Sequence, residues 1–421
     1  MRLSDEHIQR ITDNVVTRNL KVHKEKKRVY RRNRIPLGKI KRRNGNYSGV
    51  YYLDFDDKIR MTIQGMTQSG KSFLLRGLID RMSRAGYHCV YVPDVKDEFK
   101  TSLSKGSMDF QDQRLSREKP EMTPIATLRP TLFSSLRLKK ASELPKDNHW
   151  FSFDPLSLSK EEWKTLLKIE GDTQQKNFYL IVEQTLNRID EMSDEEKSEV
   201  NVVEEFIHTV SLMDNIKETY KASYVGKLKP LLNNKMFVKE YRLDLVELLR
   251  EGLVVALNMK YHQRFDSNLR YHIGVFLIFF RMIVEAKMSG ELRKPVFVAI
   301  DEATRFIPDD DGKRFESTDY VDESVELHTA YDLNYAFSCQ TLERISSTVI
   351  QNSRYILVPY SASTQDFNRA IKDAGVTSSG KAYALASRIK NNCDRFDWMI
   401  VDNKKSSWDI IRPLPPLSKH G

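Results

Sequence analysis

Residues 58–72 read KIRMTIQGMTQSGKS, and this stretch holds the side chains best suited to handle a phosphate. The run Gly65-Met66-Thr67-Gln68-Ser69-Gly70-Lys71-Ser72 fits the pattern G-x-x-x-x-G-K-S. Gly65 and Gly70 let the backbone turn so that its N–H groups converge on phosphate oxygens. Lys71 can reach the β- and γ-phosphates of ATP, and the Ser72 hydroxyl can ligate Mg²⁺. A second set lies at Lys294-Pro-Val-Phe-Val-Ala-Ile-Asp301-Glu302, where two carboxylates follow an apolar run. Asp301 can complete a Mg²⁺ shell, and Glu302 can polarise a water for attack on the γ-phosphate. Gln340 ends a further run, residues 334–339, where its amide would face the γ-phosphate. An ordinary strand-end glutamine occupies the same kind of position.

These groups need elements to hold them. Ile59, Met61 and Ile63 alternate with polar residues, which predicts a strand before the loop. Phe73, Leu74, Leu75, Leu78, Ile79 and Met82 recur at helical spacing up to Gly86, which predicts a helix after it. Residues 88–92 read as a second, buried strand, so helix and strand make a βαβ unit with a parallel sheet. Ligands of parallel sheets bind at the carboxyl ends of strands, where the loop, Asp301, Glu302 and Gln340 should meet. Residues 50–53, 128–133, 253–257, 355–358 and 398–401 supply further strands. Helical spacing covers 161–169, 174–192, 200–213, 243–249 and 269–288, with a charged break expected at 190–199. The predicted class is therefore α/β with a mostly parallel sheet. A basic N-terminal arm (1–50) precedes a core (51–412) that carries a mainly helical insertion (155–252), and a Pro-rich tail (413–421) follows, extended along a surface.

Charge is concentrated rather than spread. The 421 residues carry a net charge of +10. Residues 21–43 alone hold twelve Lys/Arg and one Glu, a local +11, so the remainder is 10 − 11 = −1. Lys26, Lys27, Arg28, Arg31, Arg32 and Arg34 are the candidate residues of this segment to meet a polyanion, most simply nucleic acid. A solvated basic tail, or an arm that docks an acidic protein, has the same composition. Cys89, Cys339 and Cys393 are too far apart in sequence to form a metal pattern and suit a reducing, cytoplasmic setting. The N-terminus is polar, without a secretory signal. The longest apolar run, residues 273–280, is too short to span a membrane.

Over residues 58–402 the order of these features resembles the HerA/FtsK superfamily of ring-forming, ATP-driven DNA motors, closest to the HerA branch. The loop GMTQSGKS is followed by a strand ending in PDVKDEF, similar to that family's D-x-K-x-E-[FY]. LREGLVVALNM, IDEATRFIP and SCQTLERISSTVIQNSRYIL resemble its leucine-rich helix and strand, its Walker B strand, and its glutamine strand with the segment after it. The resemblance implies a RecA-like P-loop NTPase core. It places Lys71 and Ser72 on ATP·Mg²⁺, Asp301 on the metal, Glu302 as water activator and Gln340 as γ-phosphate sensor. It further implies a homo-hexamer that translocates double-stranded DNA, working with a nuclease, a capsid or a transfer apparatus. Two departures are visible. Residues 1–57 leave no room for the N-terminal barrel typical of HerA proteins. The region HTAYDLNYAF also lacks the arginine that relatives offer to a neighbouring subunit's ATP. Arg305, Arg344 and Arg354 are the substitutes, with Arg354 favoured. An ATP-regulated scaffold that recruits a nuclease, and a secretion-system ATPase, are the competing readings.

Overall fold

The apolar runs become strands of one large sheet in the computed structural model. It describes residues 34–54, 58–66, 68–94, 123–130, 148–233, 237, 242, 244–259, 269–309, 315–327 and 331–417. In chain order the strands are β1 (Arg34–Lys41), β2 (Tyr47–Asp54), β3 (Arg60–Gln64), β4 (His88–Asp94), β5 (Ile125–Pro130), β6 (Asn148–Phe151), β7 (Val254–Asn258), β8 (Val296–Ile300), β9 (Leu333–Cys339), β10 (Tyr355–Pro359), β11 (Trp398–Asp402) and β12 (Ser407–Pro413). Their spatial order is β2-β1-β12-β11-β10-β3-β9-β8-β4-β7-β5-β6. From β10 to β6 every neighbouring pair is parallel, and from β10 to β2 every pair is antiparallel. Every residue of β7, β8, β9 and β10 is buried. Strands covered on both faces read as continuous apolar runs for this reason.

One face of the sheet is covered by α1 (Lys71–Arg84), whose Leu74, Leu75, Leu78, Ile79 and Met82 pack against Met61, Ile63, Leu357 and Phe297. The outer side of α1 is buried too. Leu414 and Leu417 of the C-terminal segment lie over it, Arg81 donates to the Pro415 carbonyl at 2.9 Å, and Leu417 N donates to Asp80 at 2.8 Å. The segment expected along a surface is thus held by buried charges of the helix that follows the phosphate loop.

The opposite face is covered by α8 (Leu269–Met288), and between β6 and β7 stand α2 (Lys160–Leu167), α3 (Asp172–Asp190), α4 (Asp194–Glu199), α5 (Val202–Leu212), α6 (Glu218–Asn233) and α7 (Leu245–Arg250). Trp163 is fully buried, with ring centroids of Phe206 and Phe237 at 4.7 and 5.4 Å. Burial of each such side chain contributes roughly 1.5–3 kcal/mol. Glu162 of α2, itself buried, receives Arg281 of α8 at 2.6 Å and ties these helices to the core.

Two local expectations change. The charged break at 190–199 contains α4, because Ser193 and Glu196 form a reciprocal capping box that satisfies the first-turn N–H groups. The residues of the basic segment that are described do not form a free arm. Arg34–Lys41 is β1, with Ile35 and Leu37 buried on the α1 side and paired between β2 and β12. Lys26, Lys27, Arg28, Arg31 and Arg32 lie outside the described residues. Among the described residues, no helix is long and apolar enough to cross a membrane.

Candidate nucleotide site

Strand register brings the chemistry together. Gln64 pairs with Cys339, Ile300 with Phe337, and Val92 with Ile300, so the carboxyl ends of β3, β9, β8 and β4 lie side by side. The loop after β3 is anchored by Gly65 N, which donates to the Cys339 carbonyl at 2.9 Å. A Cβ on Gly65 would strike the Ser69 side chain and stand 3.2 Å from Pro359 Cγ, so this approach requires glycine. Gly70 opens α1 with φ of 94°, and Gln68 also stands in the left-handed region at 67°. Lys71 is 7% exposed, and its ammonium donates to the carbonyls of Gly65 and Met66, which draws it across the loop. Ser72 lies in the first turn of α1, partly buried, and Met66 is exposed. Thr67 lies outside the described residues.

Three buried oxygens around this loop, Ser69 Oγ, Gln64 Oε1 and Thr341 Oγ1, have no hydrogen-bond partner among the described residues. An unmet buried polar atom costs about 1–3 kcal/mol. The Ser69 and Thr341 hydroxyls, beside a glycine loop and a lysine, can donate to a polyoxyanion, whereas the Gln64 amide oxygen only accepts and needs a donor such as water. No group of three or more His, Cys, Asp or Glu among the described residues could hold a metal alone. Mg²⁺ at a nucleotide takes one or two protein oxygens and otherwise phosphate and water, and the Ser72 hydroxyl and Asp301 carboxylate are oxygen donors of that kind.

Asp301 is buried at 3% exposure. Its Oδ2 accepts Tyr91 OH at 2.7 Å, while its Oδ1 accepts the Ser338 hydroxyl and Glu302 N. A carboxylate oxygen has about two lone-pair sites, so Oδ2 keeps one for a cation or its water. Glu302 follows in a left-handed conformation, φ 49°, which costs on the order of 1–2 kcal/mol. Gln340 Nε2 donates to Glu302 Oε2 at 3.2 Å, so the two residues expected to act on water and γ-phosphate do meet. Burial pushes the neighbouring Cys339 thiol up to about 12, so it remains protonated. Tyr91 and Ser338 are additions that the sequence reading lacks. Ser338 shares a strand face with Gln340, a signal available in the sequence, whereas Tyr91 becomes visible only once β4 is known to lie beside β8.

Arg354 is not brought to this site, which corrects the expectation of a group near a sheet edge. It precedes β10, an interior strand, and so sits at the amino ends of the parallel strands. It is 9% exposed, faces Asp402 at 3.4 Å and stacks over the Tyr355 ring at 4.8 Å. Arg305 is half-buried in the turn after Glu302, and Arg344 is exposed in the turn after Gln340. Arg34 pairs with Asp54 at 2.6 Å at the start of β1.

Comparison with known proteins agrees with this geometry. Residues 6–273 match the family described as the central domain of helicase HerA. The chain belongs to that family. It is thereby one of the P-loop ATPases of the HerA/FtsK superfamily. No curated protein sequence matches it. Among solved structures, VirB4 of Thermoanaerobacter pseudethanolicus superposes with a TM-score of 0.59 at 12% identity, over 90% of this chain and 96% of that one. The bacterial conjugative coupling protein TrwB, in an unbound form, superposes with a TM-score of 0.50 at 10% identity, over 95% of this chain and 91% of that one. At such identities the likeness is one of fold, a mixed, mostly parallel sheet flanked by helices.

Proposed function

We propose that this member of the HerA family is an ATP-driven motor that works as a homo-hexameric ring on double-stranded DNA in the cytoplasm. The supporting observation is the meeting of the Lys71–Ser72 loop, Asp301, Glu302 and Gln340 at one end of the sheet. The loop N–H groups and the Lys71 ammonium bind and neutralise the β- and γ-phosphates. Ser72 and Asp301 would hold Mg²⁺, which would supply further charge neutralisation there. Tyr91 and Ser338 hold the Asp301 carboxylate in place. Glu302 takes a proton from the attacking water, and Gln340, donating to the Glu302 carboxylate, orients it. Arg344, exposed beyond Gln340, is the arginine offered to the neighbouring subunit's nucleotide. Lys26, Lys27, Arg28, Arg31, Arg32 and Arg34 bind the DNA backbone without regard to sequence. A nuclease, a capsid or a transfer apparatus is the kind of partner such a motor serves.

The test is ATP hydrolysis with and without double-stranded DNA, on material whose mass is measured by light scattering. The expected result is a hexamer whose turnover rises with DNA. Neutralising the six basic residues should flatten the salt dependence of DNA binding, by roughly 0.9 in log–log slope for each phosphate that the protein ceases to neutralise. A monomer whose turnover ignores DNA, or a slope unchanged by the substitutions, would transfer the function to a scaffold or a protein-secreting ATPase.

A further inference from the structure

The turn between α9 (Ser379–Asn391) and β11 presents an aromatic ring that the phosphate chemistry does not use. Phe396 is 61% exposed, and its φ is 75°. A bulky residue at positive φ is an outlier that persists only where its surroundings over-determine it. Here they do. Asp397, fully buried, accepts Tyr47 OH at 2.7 Å and Arg412 Nε at 3.0 Å on Oδ1, and Asp394 N at 2.9 Å and Lys41 Nζ at 3.2 Å on Oδ2. Tyr360 N donates to the Asp397 carbonyl at 2.9 Å, and Arg412 donates to the Arg395 carbonyl at 3.3 Å. The β1–β2 hairpin, β12 and the end of β10 therefore clamp this turn. The Arg395 guanidinium lies 5.0 Å from the Phe396 ring centroid, a cation–π pair at the surface.

Its position relative to the phosphate loop gives the ring a purpose. Trp398, two residues on, has its indole 4.0 Å from where a Cβ on Gly70 would stand, and Pro359 flanks Gly65. The loop thus abuts β10 and β11 on one side of β3, while Asp301, Glu302 and Gln340 belong to β8 and β9 on the other. A nucleotide whose γ-phosphate faces Glu302 runs its base the opposite way, toward β11. We propose that Phe396, backed by Arg395, is the stacking platform for the purine base of the nucleotide held at the phosphate loop. This rests on the nucleotide-site reading above. Stacking on a ring face does not read base edges, so adenine and guanine are both accepted.

Calorimetric titration of the full chain with Mg·ATP, Mg·GTP and Mg·tripolyphosphate, which has no base, tests the assignment. Phe396→Ala should weaken ATP and GTP on the order of 10-fold and leave tripolyphosphate unchanged, and Phe396→Tyr should bind all three as the parent does. An exposed ring carries little packing, so the melting temperature should be the same in all three proteins. The assignment is overturned if Phe396→Ala binds ATP like the parent, if it weakens tripolyphosphate equally, or if tyrosine fails to restore ATP. Lys71→Ala should lose all three ligands. A parent that binds tripolyphosphate as tightly as ATP removes the platform and leaves the phosphate loop standing. A parent that binds none of the three removes both.

Discussion

Buried polar side chains stand at both ends of the parallel strands, and the two ends differ in what surrounds them. At the amino ends most of them pair with one another, while Tyr335 OH and Asn403 Oδ1 have no hydrogen-bond partner among the described residues. Asn334 Oδ1 accepts Ile59 N at 2.7 Å, the hydroxyls of Thr62 and Ser353 lie 2.7 Å apart, Asn403 Nδ2 donates to the Ser353 carbonyl at 2.6 Å, and Arg354 faces Asp402. At the carboxyl ends Ser69, Gln64 and Thr341 keep buried oxygens without partners among the described residues, and Gln68 and Glu302 stand in left-handed conformations. Unmet buried atoms therefore occur at both ends, and what sets the carboxyl end apart is the glycine loop with Lys71 beside the Asp301, Glu302 and Gln340 side chains, groups that suit a ligand. One sheet thus carries a structural end and a chemical end, and an arginine means different things at each.

The largest effect should come from the chemical end. Arg344→Ala should lower ATP turnover by about 10³-fold or more if it serves the neighbouring subunit. Mixing it with Lys71→Ala, itself inactive, should restore part of the activity through sites with both groups intact. A fully active Arg344→Ala protein would leave the ring without this arginine. Arg354→Ala tests the other end. It removes one partner of the buried Asp402, which still accepts Lys404 N at 3.1 Å and faces Lys405 Nζ at 3.5 Å, so stability should fall by about 1.5–3 kcal/mol while turnover per folded molecule stays at the parent value. Normal stability with abolished turnover would erase the distinction between the ends.

A smaller effect concerns pH. His88 at the start of β4 hydrogen-bonds through Nδ1 to the Leu249 carbonyl, 2.7 Å away, and burial pushes its pKa down to about 4. Burial lowers His272 to about 4 as well, beside Arg305. A folded pKa below the unfolded 6.5 means that the neutral form stabilises the fold above pH 6.5. That stability is lost as pH falls from about 6.5 toward 4. The melting temperature should fall across this window, and less steeply in His88→Gln. An equal fall in the variant would remove His88 from the account.

The loop, its helix and the Asp301–Glu302 strand are legible in the sequence because glycine placement and apolar spacing act over a few residues. Gln340 is legible for the same reason, as a polar residue ending an apolar run. The place of Arg354 is legible in principle, since a residue preceding a parallel strand lies at the end away from the loop. Tyr91 and Phe396 are hidden because their roles depend on which strands become neighbours, which no local spacing encodes. Residues 34–41 attract notice by their charge, yet Ile35 and Leu37 decide their fate by burying against the sheet's α1 face.

The most direct test of the chemical end is Glu302→Gln, which keeps the shape and the proximity to Gln340 while removing the carboxylate. ATP affinity measured by titration should stay near the parent value, and steady-state hydrolysis should fall by ~10²-fold or more. A Glu302→Gln protein that hydrolyses ATP at the parent rate would contradict the account.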